Sequence, residues 1–270
     1  MLVNSAGYWR ATWTPAGPAT QLLTETDGSV NSQEWGPGAT WVRDRVDALL
    51  GRNDGVESFQ PQHPVVAQAW RESGGLRVGA TGNVWEALAA AILEQKVTGP
   101  QSRRSWKALV VAHGQRAPGP APEGLTAPPP AAVWHTIPDW EYHRAGVGPD
   151  RMHTLRRSAA VADSLQRFAT DSQQLDIALT SIRGIGVWTS AEVRQRACGD
   201  ADAVSIGDFH LPELVTYALT GDSAGDDERM LRLLEEFRPH RYRVTRLLEL
   251  FGPHPPRRGP RYAPLDHRNR

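Results

Sequence analysis

The period of apolar positions along this chain changes near residue 60. Before it, apolar residues fall in short extended runs, GYWRATWT over 7–14 and TQLLTET over 20–26, broken by PAGPA, DGS and GPGA. Such runs between Gly/Pro turns predict a small β-rich unit over 1–59, with WVRDRVDALL at 41–50 as a short amphipathic helix. After residue 60 the spacing becomes helical. PVVAQAWRES at 64–73 has proline in its first turn. Asn83 is placed to cap VWEALAAAILEQKV at 84–97, and 101–113 forms another helix. Residues 114–132 read as a loop, because their many prolines leave few backbone donors. Further helices are predicted near 131–136, 149–169, 173–182, 187–198, 209–219 and 226–250. The last stretch, 253–270, is a Pro/Arg-rich tail expected to lie irregularly on the surface.

Composition narrows the class. With 40% hydrophobic and 22% charged residues over 270 positions, the chain reads as a soluble globular protein able to bury one large core or two. No run approaches the roughly 20 apolar residues of a membrane span, so no membrane partner is expected. The start, MLVNSAGYWR, lacks a charged region followed by an apolar one, so no signal peptide is expected. Cys198 is the single cysteine, which excludes an intramolecular disulfide, a four-cysteine iron–sulfur cluster and a multi-cysteine zinc site. The expected compartment is the cytoplasm. Net charge is zero, yet residues 1–60 carry 4 Arg against 7 acids, while 151–270 carry 18 Arg against 16. That balance argues against a general polyanion binder and allows a local basic surface. Lys96 and Lys107 are the only lysines, which limits any mechanism needing an amine nucleophile.

The candidate chemistry lies in 179–208, LTSIRGIGVWTSAEVRQRACGDADAVSIGD. It reads as helix, glycine hairpin, helix, then an aspartate, Asp208, 22 residues beyond the second hairpin glycine. Gly184 and Gly186 permit a sharp turn and present no Cβ to an approaching ligand. The first N–H groups of a helix starting near Val187 have no internal partner and carry the positive end of the helix dipole. A nucleic-acid phosphate fits there, independent of base sequence. Ile185 is an apolar tip or a pin into the core. A lone Gly-x-Gly is otherwise only a tight turn, and Asp208 before FHLPELVTYAL also reads as a helix N-cap, which does not exclude chemistry.

The string L-x-x-I-x-G-I-G-x-W-T between helices, with its aspartate, resembles the helix-hairpin-helix DNA base-excision glycosylases, within them the bacterial 3-methyladenine DNA glycosylase II type. ALAAAILEQKVT resembles that family's long helix ending in an I-L-x-Q-Q-V-S-like turn, and RPHRYRVTRLLEL its late R-P-[WY]-R-S-x-A helix. The resemblance runs over roughly 60–252. It implies a mainly α fold whose two-lobed core, over 60–252, joins one lobe of about 83–200 to another of about 60–82 plus 201–252. The first 60 residues look like only the latter part of the family's N-terminal β domain, which implies a truncated unit.

The resemblance also implies roles. Asp208 falls on the catalytic aspartate, Gly184, Ile185 and Gly186 on the hairpin that binds the DNA backbone, and Thr189 on the helix-start threonine that helps hold phosphate. Hairpin carbonyls can hold a monovalent cation in this family; no cofactor and no side-chain metal site is expected. Gln95 and Lys96 match the loop that fills the emptied base stack, although Lys96 also reads as a solvated basic contact. Lyases of the superfamily carry a lysine where this chain has Trp188, so a monofunctional enzyme is expected. Trp188 would stack under the base, or else belong to the core. Glu192, four residues on, either lines the base pocket or is a surface glutamate paired with Arg196. The implied function is excision of alkylated bases from double-stranded DNA by a monomer at the nucleoid. The alternatives are a glycosylase for deaminated bases and a non-catalytic helix-hairpin-helix DNA-binding protein.

Overall fold

The computed structural model describes residues 2–256. It is mainly helical with a small antiparallel sheet at the N-terminus. Strands β1 (Leu2–Asn4), β2 (Gly7–Thr14), β3 (Gly17–Thr26) and β4 (Ser29–Trp35) form a meander in sequence order. Register pairs Trp9 with Leu22 and Arg10 with Gln21, so neighbouring positions alternate between the sheet's two faces. On one face Trp9 stacks on Trp35 at 5.6 Å between ring centroids and packs with Ala117, Leu125 and Ala127. These last three come from the proline-rich stretch expected as a bare loop. It contains a two-stranded hairpin, β5 (Gln115–Arg116) with β6 (Thr126–Ala127), that covers the sheet. On the opposite face Arg10, Thr12 and Gln21 are buried. Thr12 donates to the Glu86 carboxylate, and Asn83 Nδ2 donates to Trp13 O at 2.7 Å, fastening the sheet to the helical body.

The helix expected over 41–50 is two short ones, α1 (Ala39–Arg43) and α2 (Val46–Leu49). Arg45 leaves helical geometry at φ −114°, ψ 8°, and its guanidinium lies 4.1 Å from the Trp41 ring centroid. Next come α3 (Pro64–Glu72), α4 (Val84–Glu94) and α5 (Gly99–His113). Asn83 Oδ1 accepts from Glu86 N at 3.1 Å and caps α4, and Thr98 and Gln101 form a capping box at α5. After α6 (Ala131–Thr136) comes α7 (Asp139–Arg144), a short helix the apolar pattern did not indicate. The single helix expected over 149–169 is broken at Val161 (φ −117°, ψ 9°) into α8 (Pro149–Ala159) and α9 (Ala162–Gln166). Helices α10 (Ser172–Thr180), α11 (Val187–Ala197) and α12 (Leu211–Thr220) follow. The helix expected over 226–250 is α13 (Asp227–Leu234), a 3-10 turn, and α14 (Arg241–Phe251). Pro239, which has no N–H and bars helical geometry from the residue before it, causes that break. Residues 253–256 of the tail carry no helix or strand, and 257–270 lie outside the described residues.

The helices close on two hydrophobic clusters. One surrounds α4, where Leu88, Ile92 and Leu93 meet Trp134, Leu155, Leu175, Leu179, Ile185 and Val193. The other joins Val66 of α3 to Val215, Met230, Leu234, Val244 and Leu248. Burying each such side chain stabilises the fold by about 1.5–3 kcal/mol. Val56 and Phe59, from the chain just before residue 60, also pack in this second cluster. Arg243, wholly buried, holds the same junction: it donates to Asp54 Oδ2 at 2.9 Å and Leu76 O at 2.6 Å.

Candidate active site

The hairpin is built from α10 inward. Ile185 is 6% exposed and packs in the first cluster, and its N–H donates to Ile182 O at 2.9 Å. Both its side chain and its N–H are therefore engaged within the protein. Gly184 sits at φ +100°, and a Cβ there would lie 2.3 Å from Thr154 Oγ1. Only glycine meets both conditions. Gly186 differs: its φ is −102° and a Cβ would meet nothing within 4 Å. Gly186 and Val187 are exposed at the start of α11, where the first-turn N–H groups have no intrahelical acceptor.

Gln95, just past the end of α4, ties this turn to the body. Its Nε2 donates to Gly184 O at 3.0 Å and to Thr189 Oγ1 at 2.9 Å. Thr189 is 2% exposed, and its hydroxyl accepts this internal bond. Gln95 is accordingly a brace for the hairpin. Lys96 beside it is exposed in the left-handed region, at φ +55°. Arg183 O accepts from Arg157 Nε at 3.0 Å. The Arg183 and Gly184 carbonyls thus each accept one protein donor, which leaves each oxygen a second lone pair.

One wall of a cleft of about 370 Å³ is the face of α11 carrying Trp188, Glu192, Gln195 and Arg196. These positions share one helix face. α14 supplies the other wall, with Tyr242, Thr245, Arg246 and Glu249, and Ser205, Asp208 and Leu211 complete the lining. The volume lies in the range of small-molecule sites. A larger hollow of about 480 Å³, lined by Arg116, Glu123 and Leu125 among others, has only one acidic and one basic side chain.

Asp208 acts as a cap and also faces the cleft. Its Oδ1 accepts from His210 N at 2.8 Å and Leu211 N at 3.0 Å, closing the approach to α12. Its Oδ2 accepts from Trp188 Nε1 at 3.1 Å. Three donors thus orient one carboxylate. Glu192 lines the cleft and is also paired. Its Oε2 accepts from Arg196 at 2.7 Å and its Oε1 from Ser205 Oγ at 2.5 Å. Arg196 reaches Glu94 as well, at 2.8 Å. Burial pushes the Glu192 carboxyl above the ordinary glutamate range; Arg196 and Ser205 pull it down, while Glu94 and Asp208 push it further up. Gln195 Nε2, bonded to Ala203 O and Ser205 Oγ, fixes the strand of chain that leads to Asp208.

Sequence reasoning singled out Trp188, Glu192 and Asp208, and these meet in the cleft. It missed the α14 wall. The signal was present: Tyr242, Thr245, Arg246 and Glu249 are spaced i, i+3, i+4, i+7, a polar stripe on one face.

No protein-family model matches the sequence, and no curated protein does. Solved structures do match the fold. A 3-methyladenine DNA-glycosylase from Archaeoglobus fulgidus superposes with a TM-score of 0.74 at 17% identity, over 92% of this chain and 87% of that one. An 8-oxoguanine glycosylase/lyase from Clostridium acetobutylicum, in its apo form, gives 0.67 at 11% identity, over 90% and 88%. The Schizosaccharomyces pombe 3-methyladenine DNA glycosylase in complex with abasic DNA gives 0.53 at 14% identity, over 73% and 87%. At these identities the likeness is one of fold.

Proposed function

We propose that this protein is a monofunctional DNA glycosylase that removes alkylated bases from double-stranded DNA. The observation that carries the proposal is the Trp188–Asp208 bond, which couples the open end of the hairpin helix to an oriented carboxylate in a base-sized cleft. The fold likeness to DNA glycosylases, one of them held on abasic DNA, supports the same reading. The two hydrophobic clusters act as two lobes, with α11 of one and α14 of the other as the walls of the cleft.

Backbone N–H groups at Gly186 and Val187 hold a DNA phosphate without regard to sequence. The damaged nucleotide leaves the stack and its base enters the cleft. Cleavage of the N-glycosidic bond builds positive charge on the sugar, and the Asp208 carboxylate stabilises that charge and orients the attacking water. Among the cleft-lining residues there is no lysine, so no amine is placed to form a Schiff base with the sugar. Asp208, Glu192 and Glu249 outnumber Arg196 and Arg246 in the lining, which favours a base that carries positive charge, as N3- and N7-alkylpurines do.

The test is a panel of duplexes bearing 3-methyladenine, 7-methylguanine, 1,N6-ethenoadenine, hypoxanthine or uracil, incubated with the protein and scored for free base. Release of the alkylpurines, with no protein–DNA adduct trapped by borohydride, is expected. Release of hypoxanthine or uracil alone would replace alkylated with deaminated bases as the substrate class. Release of none would leave a DNA-binding protein.

A further inference from the structure

Phe209 is 89% exposed, the most exposed large hydrophobic side chain among the described residues. It follows Asp208 directly, so their Cα atoms are about 3.8 Å apart. The turn that presents it is held at several points. Asp208 Oδ1 binds the N–H groups of His210 and Leu211, and Gly207 N donates to the Asp227 carboxylate at 3.1 Å. The ring itself meets the His210 ring edge-on, at 4.8 Å between centroids. A second exposed apolar residue, Val187 at 57%, adjoins Trp188, the partner of Asp208. Two uncovered apolar residues are therefore the chain neighbours of the two cleft-lining residues that share this hydrogen bond.

Extruding a nucleotide breaks its stacking and leaves a gap bordered by apolar base faces. Proteins offset that loss by setting an apolar side chain into the opened step, and an aromatic ring does so with any base. Lys96, on the loop expected to fill the gap, ends in a strongly hydrated charge and offers no ring to stack on a base. Gln95 is engaged with the hairpin. We infer, on the glycosylase reading above, that Phe209 is the side chain that packs against the base bordering the gap left by the extruded nucleotide. The ligand it takes is the face of a DNA base in an opened step, and its fixed place beside Asp208 sets that contact next to the sugar under attack.

The experiment compares wild type, Phe209→Ala, Phe209→Trp and Lys96→Ala on two duplexes of one sequence, one undamaged and one carrying a tetrahydrofuran abasic analogue. Phe209→Ala should bind the abasic duplex roughly 10-fold more weakly, the order of one lost base–aromatic stack. It should bind the undamaged duplex as wild type does and melt at the wild-type temperature. Phe209→Trp should restore the abasic preference. Equal affinity of wild type and Phe209→Ala for the abasic duplex overturns the inference, as does an equal loss on both duplexes or a loss confined to Lys96→Ala. A wild-type protein with no preference for the abasic duplex would instead overturn the glycosylase reading, and this inference with it.

Discussion

The indole N–H of Trp188 donates to the Asp208 carboxylate at 3.1 Å, across 20 residues of chain. Trp188 is the second residue of α11, so the helix whose first-turn N–H groups lack intrahelical acceptors also aims the carboxylate. A lysine at this position would supply a nucleophile; here the side chain is a hydrogen-bond donor that cannot form a Schiff base.

Removing that donor tests its part. A hydrogen bond to a charged group contributes about 1.5–3 kcal/mol. Trp188→Phe keeps the apolar body and loses the N–H. Single-turnover base release should fall about 10-fold, while affinity for duplex DNA holds. An unchanged rate would show that the two backbone donors orient Asp208 unaided.

The two hairpin glycines should respond differently to the same change. Gly184→Val forces a Cβ to within 2.3 Å of Thr154 Oγ1 at a φ of +100°, so it should lower the melting temperature. Gly186→Val meets open space and an ordinary φ, so it should leave the melting temperature alone. Its added bulk stands where a phosphate would approach, and binding to every duplex should weaken alike. Thermal melts paired with titrations on damaged and undamaged DNA check both statements. Loss of one lesion type only would mean that the hairpin contacts a base.

Glu192 should bias the cleft toward cationic bases while it is ionised. Glu192→Gln should slow release of 7-methylguanine or 3-methyladenine more than release of neutral ethenoadenine or hypoxanthine. Because burial raises its carboxyl, acidification should neutralise Glu192 before an ordinary glutamate. The cationic-over-neutral rate ratio should therefore fall with pH in the wild type and stay flatter in the variant. Equal losses on both kinds of base, at all pH values, would leave Glu192 as the partner of Arg196 and nothing more.

His240 should make the fold acid-sensitive. Its Nδ1 accepts from Arg243 Nε at 3.3 Å, and its Nε2 lies 2.8 Å from Ser58 Oγ. Burial, and then Arg243, hold its pKa below the ordinary 6.5; Asp54 and Asp202 oppose this in part. The unfolded histidine takes up its proton near 6.5 and the folded one only at lower pH. Stability should thus be lost as pH falls through the ordinary histidine range, and the loss should level off below the folded value. Denaturant melts from pH 7 to 5 should show a shallower slope for His240→Gln. Equal slopes would place the acid sensitivity elsewhere.

Local signals made much of this molecule legible. The hairpin lies within one 30-residue stretch, and Asn83 marks the start of α4 by side-chain chemistry alone. Asp208 reads both as a cap and as a candidate catalytic carboxylate, and the cap is seen in its bonds to His210 N and Leu211 N. What stayed hidden depends on pairs far apart in the chain. Gln95 reads as a loop tip, yet its amide spans 89 positions to brace Gly184. Thr189 reads as a phosphate ligand, and nothing local shows its burial or its bond to Gln95. The prolines of 114–132 signal a loop, and nothing local says that Leu125 and Ala127 will cover the sheet. Pro239 is the exception: it was visible in the sequence, and it ends the long helix that periodicity extended through it.

The central claim is that Asp208 stabilises the sugar cation, and Asp208→Asn tests it most directly. Asparagine keeps the size and the capping oxygen and removes the charge. Single-turnover release of 3-methyladenine or 7-methylguanine should drop by two orders of magnitude or more, on the scale of lost electrostatic stabilisation, about 10²–10³. DNA affinity should hold or rise, because a negative charge facing the phosphates is gone. Release within tenfold of wild type by a folded variant would contradict the account.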